Sequence, residues 1–231
     1  QSLYTQLDNL KPGRIMWEPN SDMNKYGTPM TLMTIPYFTK HTSMEGLYFD
    51  SSITTPFHFI SVSGLAKRPS NPVGGLSYIN NQFDQGVEHL NHLGVDYFIS
   101  YTEEIESKAM NSEKLILLFS SEPFSVFKVN SSKVELIYQD IKIFSKASTQ
   151  DGILSSILRD TDINNFFDKA YESFDELDKK RVIEVSNGMN IVSSKKNDLQ
   201  ITDLNITNNK ISFFTDSPGE LHLIKVSYFP N

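Results

Sequence analysis

The pattern that most constrains the fold is a helical repeat that runs directly into a strand, within residues 82–101. Four apolar residues recur at spacings of four, three and three and therefore share one face of a helix: Phe83, Val87, Leu90 and Leu93. Gly94 supplies a helix C-terminal cap. Residues 95–101 then follow with β-branched and aromatic side chains. Helix, glycine and buried strand in this order are typical of an α/β unit.

Shorter elements are predicted around this unit. Before it, closely spaced Pro, Gly and Asn residues leave room only for a strand at 14–17, an apolar piece at 46–50 and a strand or helical turn at 57–62. After it, we expect a short helix at 103–111 and strands at 115–120, 124–129 and 134–138.

The rest of the chain changes from a helical to a strand pattern. Residues 152–185 are charged and carry apolar stripes at helical spacing, although the β pattern already begins at Val182. Strands are predicted at 199–206, 210–214 and 221–229. We therefore predict an α+β protein with an α/β region containing a mixed sheet (1–145), a helical connection (146–185) and a small β-sandwich-like sheet (186–231).

Composition narrows the function classes. The net charge is −7 and no basic stripe is visible, so nucleic acid is not expected as a partner. No run approaches the ~18 apolar residues of a membrane span. Cysteine is absent, which excludes disulfides, thiol catalysis and thiolate metal sites. No phosphate loop, dinucleotide fingerprint, nucleophile elbow or zinc-protease motif occurs, so no cofactor is predicted.

Two histidines have a spacing that can bind one metal ion. His89 and His92 lie three residues apart on the predicted helix, but no third ligand shares their face. A solvated helix face is the better interpretation, and no metal site is predicted.

An aromatic-rich stretch at residues 37–58 carries the candidate binding residues. It combines rings with His41, Glu45, Asp50 and His58. Rings stack on the apolar face of a sugar and carboxylates accept hydrogen bonds from its hydroxyls. Aromatic residues that fill a small core are the alternative. Paired carboxylates also suit glycoside hydrolysis, although nothing in the sequence makes Glu45 and Asp50 face each other.

A second candidate lies near Trp17, which can form a stacked ion pair with Arg14 and Glu18 at a surface or act as a half-buried anchor. The predicted substrate-binding set is Trp17, Glu18, His41, Glu45, Tyr48, Asp50 and His58.

The two ends of the chain indicate a piece of a longer protein. The chain begins at Gln1 without Met or a signal peptide, and a strand-like run continues to Asn231. An ordinary C-terminal strand tucked into a sheet is the alternative.

Four stretches together resemble one family. They are residues 13–18, 43–52, 92–98 and 225–231. In this order they resemble the extracytoplasmic region of polytopic GT-C-type glycosyltransferase-like membrane proteins, in the subgroup labelled pyruvoyl-tetrahydropterin-synthase-related. The three-histidine zinc site and catalytic cysteine that this label suggests are not visible.

The resemblance implies a domain on the extracytoplasmic face, tethered to a membrane-embedded part of the same polypeptide. In such proteins the catalytic acid typically lies in a loop between the first membrane helices, so no catalytic residue is carried over here. Their soluble region is associated with binding or positioning of the acceptor glycan, here a cell-envelope glycan, or with support of assembly. Two alternatives stay open: a secreted carbohydrate-active hydrolase that uses Glu45, Asp50 or His58, and a structural or partner-docking domain.

Overall fold

The protein is a mixed α+β chain, as predicted. The computed structural model describes residues 2–45, 55–72, 78–130, 133–136, 141–145, 181–185, 200–207, 210–218 and 222–224. The chain divides into two compact units, 1–132 and 133–231.

The first unit is built on a five-stranded mixed sheet. Its strands are β1 Arg14–Trp17, β2 Thr42–Ser43, β3 Tyr97–Ser100, β4 Leu115–Ser121 and β5 Phe124–Val129. Their order across the sheet is β2-β1-β3-β5-β4. Strand β1 is parallel to both of its neighbours, whereas β5 is antiparallel to β3 and β4. The mixed sheet predicted for this region is therefore confirmed.

Among the described residues of this unit, five α-helices accompany the sheet: α1 Leu3–Asp8, α2 Ile35–Phe38, α3 Thr55–Leu65, α4 Phe83–His92 and α5 Glu103–Met110. Two 3-10 helices span Ser21–Tyr26 and Thr31–Thr34. Helix α5 begins where Thr102 accepts a hydrogen bond from the backbone N–H of Ile105, and three glutamates lie in its first turn, where they favour the helix dipole. Gly94 ends the α4 turn with φ of 64°, as predicted for its cap.

Two apolar clusters lie on opposite faces of the sheet, because neighbouring side chains of a strand point to opposite sides. Met16 and Phe98 pack with residues of α3, α4 and α5. Ile15, Trp17 and Ile99 pack with residues of α1, α2 and the two 3-10 helices. The sheet thus has helices on both faces, and its parallel strands end at one common edge.

Hydrogen bonds at the amino edge of the sheet join residues 13–18 to residues 92–98, two of the stretches that carry the resemblance. The Oδ2 of Asp96 accepts from the backbone N–H of Arg14 at 2.7 Å, and the Arg14 Nη1 donates to the carbonyl of Leu93 at the end of α4, also at 2.7 Å. A Cβ on Gly13 would lie 2.7 Å from the same carboxylate oxygen. These residues therefore hold the starts of β1 and β3 together.

Helices α3 and α4 approach each other at two glycines. A Cβ on Gly64 would lie 2.8 Å from the carbonyl oxygen of Gln82, and one on Gly86 would lie 2.8 Å from the Leu65 Cγ. The two helices thus pack backbone to backbone at this point.

The ambiguous prediction at residues 57–62 resolves as helix α3. Residues 58–65 of this helix are all buried, so no exposed polar face marks its period, and periodicity could not distinguish a helix from a strand. The apolar piece predicted at 46–50 lies outside the described residues.

In the second unit, six strands are described. They are β6 Val134–Leu136, β7 Ile141–Ser145, β8 Arg181–Val185, β9 Ile201–Ile206, β10 Ile211–Thr215 and β11 His222–Ile224. Strands β9 and β10 form an antiparallel pair, as do β6 and β11, whereas β7 and β8 are parallel.

Strand β8 shortens the predicted helical connection. The predicted connection spans 146–185, but residues 181–185 form a strand. Val182, Ile183 and Val185 are β-branched residues, which favour strands over helices. Residues 146–180 lie outside the described part, and the division at 145 and 185 stays a prediction.

Candidate functional site

Glu45 lies at the end of β2, where the parallel strands finish. The backbone N–H of Met44 donates to the Ile15 carbonyl at 2.9 Å, which extends the β2 pairing by one residue, and the Met44 side chain packs against the core. The Ser43 hydroxyl donates to the Glu45 carbonyl at 2.5 Å. Hydrogen bonds therefore hold the backbone before Glu45, and Glu45 itself lies at the carboxyl edge of the sheet.

His58 on α3 supplies the partner of this carboxyl group. Its Nε2 lies 3.7 Å from the Glu45 Oε2, and the side chains are 4% and 13% exposed. The Nδ1 of His58 is buried and has no hydrogen-bond partner among the residues that the structure describes. A separation of 3.7 Å is too long for a hydrogen bond between Nε2 and this carboxyl group, so among the described residues the Nδ1 of His58 keeps unused hydrogen-bonding capacity.

Burial favours the uncharged form of both groups. It raises the pKa of Glu45 to about 7 and lowers the pKa of His58 to about 4. Between these two values, the carboxyl is protonated and the imidazole is neutral, so the pair holds one proton. Such a pair can donate a proton from Glu45 and accept one at His58, and it can bind a ligand that both donates and accepts hydrogen bonds.

Glu18 is at the end of the neighbouring strand β1, but it holds the fold together. Its carboxylate accepts from the backbone N–H groups of Tyr101 and Thr102 at 2.9 Å and from the Thr102 hydroxyl at 2.8 Å. It also accepts from the backbone N–H of Lys67 at 3.3 Å. Burial raises its pKa, while these hydrogen bonds act in the opposite direction.

The position of Glu18 is the one at which open α/β sheets bind ligands. The chain leaves β1 toward β2 and returns to β3 on the other side, so the carboxyl ends of β1 and β3 flank a topological switch point. Glu18 is fully buried there. The carboxylate of Glu18 thus occupies this crevice. An unused hydrogen-bonding group among the described residues belongs to the Glu45–His58 pair, beside the neighbouring strand β2.

Two further predicted residues also belong to the core. His41 is buried, with its Nε2 2.7 Å from the Leu7 carbonyl and its Nδ1 3.2 Å from the backbone nitrogen of Gly13. It therefore links α1 to the segment before β1. Trp17 is fully buried between the sheet and the helices on that face, so the surface ion pair considered for it is wrong.

The structure thus brings together Glu45 and His58 from the predicted set. Trp17, Glu18 and His41 are placed inside the fold, and Tyr48 and Asp50 lie outside the described residues. The four hydrogen bonds of Glu18 were not predicted, because its donors are 49 to 84 residues away in sequence.

The two helix histidines give one correction. His89 is buried rather than solvated, because α4 packs against α3 as well as against the sheet, and more of its circumference is covered than one apolar stripe indicates. Within the described ranges, no three His, Asp or Glu side chains are grouped so that they could hold a metal ion.

A polar groove that the sequence did not indicate lies between the start of α4 and the end of α5. Its volume is about 690 Å³. Its lining residues are Asn81, Gln82, Phe83, Asp84, Gln85, Ser107, Lys108 and Asn111. The Lys108 Nζ donates to the Glu104 Oε1, and the Asn111 side chain donates to the Ser107 carbonyl. These lining groups therefore already have hydrogen-bond partners within the protein.

Comparisons with protein-family models, curated proteins and solved structures found no match to this chain. The resemblance to glycosyltransferase-like membrane proteins therefore depends on the four quoted stretches and stays a prediction. In the described part of the chain, helices long and apolar enough to span a bilayer are absent.

Proposed function

We propose that this chain is the soluble extracytoplasmic domain of a membrane glycosyltransferase-like protein, and that it positions the acceptor glycan without catalysing transfer itself. The observation that supports this is the Glu45–His58 pair. It places a largely buried carboxyl group and imidazole at the carboxyl edge of the sheet, and no described residue bonds to the imidazole Nδ1. Attachment to a membrane-embedded part of the same polypeptide is supported by the four sequence stretches alone.

A saccharide is the ligand class that best fits these groups. Each sugar hydroxyl both donates and accepts, so neighbouring hydroxyls can satisfy a carboxyl oxygen and a ring nitrogen at once. A buried polar group without a partner is costly, and a ligand that supplies one gains that free energy on binding. A metal ion is a poorer match to the described residues, because they bring only two ligand side chains, Glu45 and His58, together here.

Binding is favoured over hydrolysis because a hydrolase needs two functional carboxyl groups about 5 to 10 Å apart. Glu18 is fully buried and already accepts four hydrogen bonds, so it is unsuited to attack a sugar. One observation favours the hydrolase alternative: a carboxyl pKa of about 7 is typical of a general acid. Asp50, which would have to be the second carboxyl group, lies outside the described residues.

Calorimetric titration of the full chain with cell-envelope oligosaccharides tests the proposal. At pH 8, where Glu45 is ionised, Glu45→Gln is expected to weaken binding about tenfold or more, because a neutral amide replaces the charged hydrogen-bond acceptor. Glu113→Gln, an exposed glutamate in a turn, is the matched control and should leave the affinity unchanged. Binding should strengthen from pH 6 to pH 8, as Glu45 ionises.

Two results would decide against the proposal. If no glycan binds, or if both variants bind like the wild type, glycan positioning at this pair is wrong. Release of reducing sugar by the wild type, abolished by Glu45→Gln, would establish the hydrolase instead. The membrane attachment is checked separately, by the presence of apolar stretches of ~20 residues on either side in the encoding reading frame.

A further inference from the structure

Three aromatic rings from separate segments meet at the carboxyl edge of the first unit's sheet, the edge at which open α/β sheets bind ligands. Tyr101 directly follows β3, Phe124 begins the neighbouring strand β5, and Tyr26 ends the 3-10 helix that comes after β1. The Phe124 ring centroid lies 5.7 Å from that of Tyr101 and 6.4 Å from that of Tyr26. We refer to Tyr26, Tyr101 and Phe124 as the ring cluster.

The fold holds two rings of the ring cluster and leaves the third at the surface. The backbone N–H of Tyr101 donates to the Glu18 Oε2 at 2.9 Å. The side chains of Tyr101 and Phe124 are partly buried against the apolar cluster that contains Trp17. Tyr26 is 47% exposed. The ring cluster therefore combines a supported base with a ring that a ligand can reach.

A positive charge already lies on the ring cluster. The Lys25 Nζ is 5.0 Å from the Tyr26 ring centroid and 5.7 Å from that of Tyr101. Both distances are within the ~6 Å over which the face of an aromatic ring attracts a cation. Lys25 is itself exposed, and in the part of the chain that the structure describes it forms no ion pair with a carboxylate. Its ammonium group is therefore held by the tyrosines.

The other charges beside the ring cluster are acidic. Asp22, Glu103 and Glu122 are exposed, and each lies within four residues of one of the three rings. Lys67 pairs with Glu104 and so adds no unbalanced positive charge. The whole chain also has a net charge of −7. The surroundings therefore favour a cationic ligand over an anionic one.

We propose that the ring cluster binds the trimethylammonium group of a choline-type cation, and that Lys25 takes this place when no ligand is bound. A lysine ammonium is strongly hydrated, whereas a quaternary ammonium has no N–H group and gains more from contact with aromatic rings. Lys25 can turn into solvent without breaking an ion pair among the described residues. This inference goes beyond the proposed function and does not depend on the Glu45–His58 pair.

Ligand-observed NMR of the full chain with choline tests the contact. We expect saturation transfer from the protein to the trimethylammonium protons. Dimethylbutanol, the neutral isostere of choline, should bind at least about tenfold more weakly, because it has the same shape without the charge. Tyr26→Leu keeps an apolar side chain but removes the exposed ring, and should weaken choline binding at least about fivefold. Tyr37→Leu removes an exposed ring that precedes β2, and as the matched control it should bind choline like the wild type.

A gain of affinity distinguishes a displaceable lysine from a purely structural one. Lys25→Gln removes the competing ammonium and should tighten choline binding about two- to fivefold, which corresponds to one exposed contact between a cation and a ring. Lys40→Gln changes the net charge equally but lies before the start of β2, and should leave the affinity unchanged. A folding defect cannot produce such a gain.

Three results would overturn the proposal. The first is absence of choline binding by the wild type. The second is equal binding of choline and dimethylbutanol, which would make the ring cluster an apolar surface without preference for a cation. The third is an affinity of Lys25→Gln no higher than that of Lys40→Gln, because Lys25 would then not occupy the ligand's place.

Discussion

Replacement of Glu45 by glutamine is expected to stabilise the first unit at alkaline pH. Burial holds the pKa of Glu45 at about 7, compared with 4.5 for a free carboxyl. The folded state therefore keeps a proton that the unfolded chain has lost, and the free energy of unfolding falls as pH rises from 4.5 to 7. Glutamine has the same shape as glutamate but does not ionise, so the variant should not lose free energy of unfolding over this pH range.

The magnitude follows from the same two values. At about 1.4 kcal/mol per pKa unit, the interval corresponds to about 3 kcal/mol, which is an upper bound because the carboxyl is partly exposed. Glu45→Gln and the wild type should have nearly the same stability at pH 4.5. At pH 8 the variant should be more stable by up to about 3 kcal/mol.

Urea denaturation followed by Trp17 fluorescence is the appropriate assay. Trp17 is the chain's one tryptophan and lies in the core of the first unit, so its emission reports on that unit. Glu113→Gln is the control and should show no such gain at pH 8. The reasoning would be refuted if Glu45→Gln lowered stability at pH 8. That result would mean that an ionised Glu45 pairs favourably with a protonated His58.

Two further predictions concern neighbouring groups. Because burial holds the pKa of His58 at about 4, below the usual 6.5, the fold should lose stability as pH falls from 6.5 to 4. In the wild type, the gain in stability from protonation of Glu45 masks this loss between pH 4.5 and 6.5. Urea denaturation of Glu45→Gln at a series of pH values should therefore reveal the loss. A free energy of unfolding that does not change with pH in this variant would contradict the burial argument. Glu18→Gln should destabilise the first unit by about 2 to 3 kcal/mol at pH 7, because its amide nitrogen would face buried N–H donors. A loss no larger than that of Glu113→Gln in the same urea assay would count against the role of Glu18.

Local signals predicted the elements that depend on local chemistry. Helix α4, the cap at Gly94 and strand β3 follow one another as expected, because an apolar stripe, a glycine with positive φ and a β-branched run each act within a few residues. Helix α3 was ambiguous, because a segment that is buried on all sides has no polar face to mark its period.

The candidate site was only partly predictable. Clustering of carboxylates and imidazoles among aromatics pointed to Glu45 and His58, but their contact depends on how α3 packs against the sheet. Glu18 and His41 appeared equally promising in sequence. Their partners are backbone groups of distant segments, which no sequence pattern identifies.

The glycine contact between α3 and α4 has a consequence for His58, which lies on α3. Only hydrogen atoms separate the two helix backbones at Gly64 and Gly86, so a single added methyl group would wedge the helices apart. His58 travels with α3, whereas Glu45 is fixed to the sheet through β2. A larger residue at either glycine is therefore expected to move the imidazole relative to the carboxyl group, although neither glycine belongs to the pair.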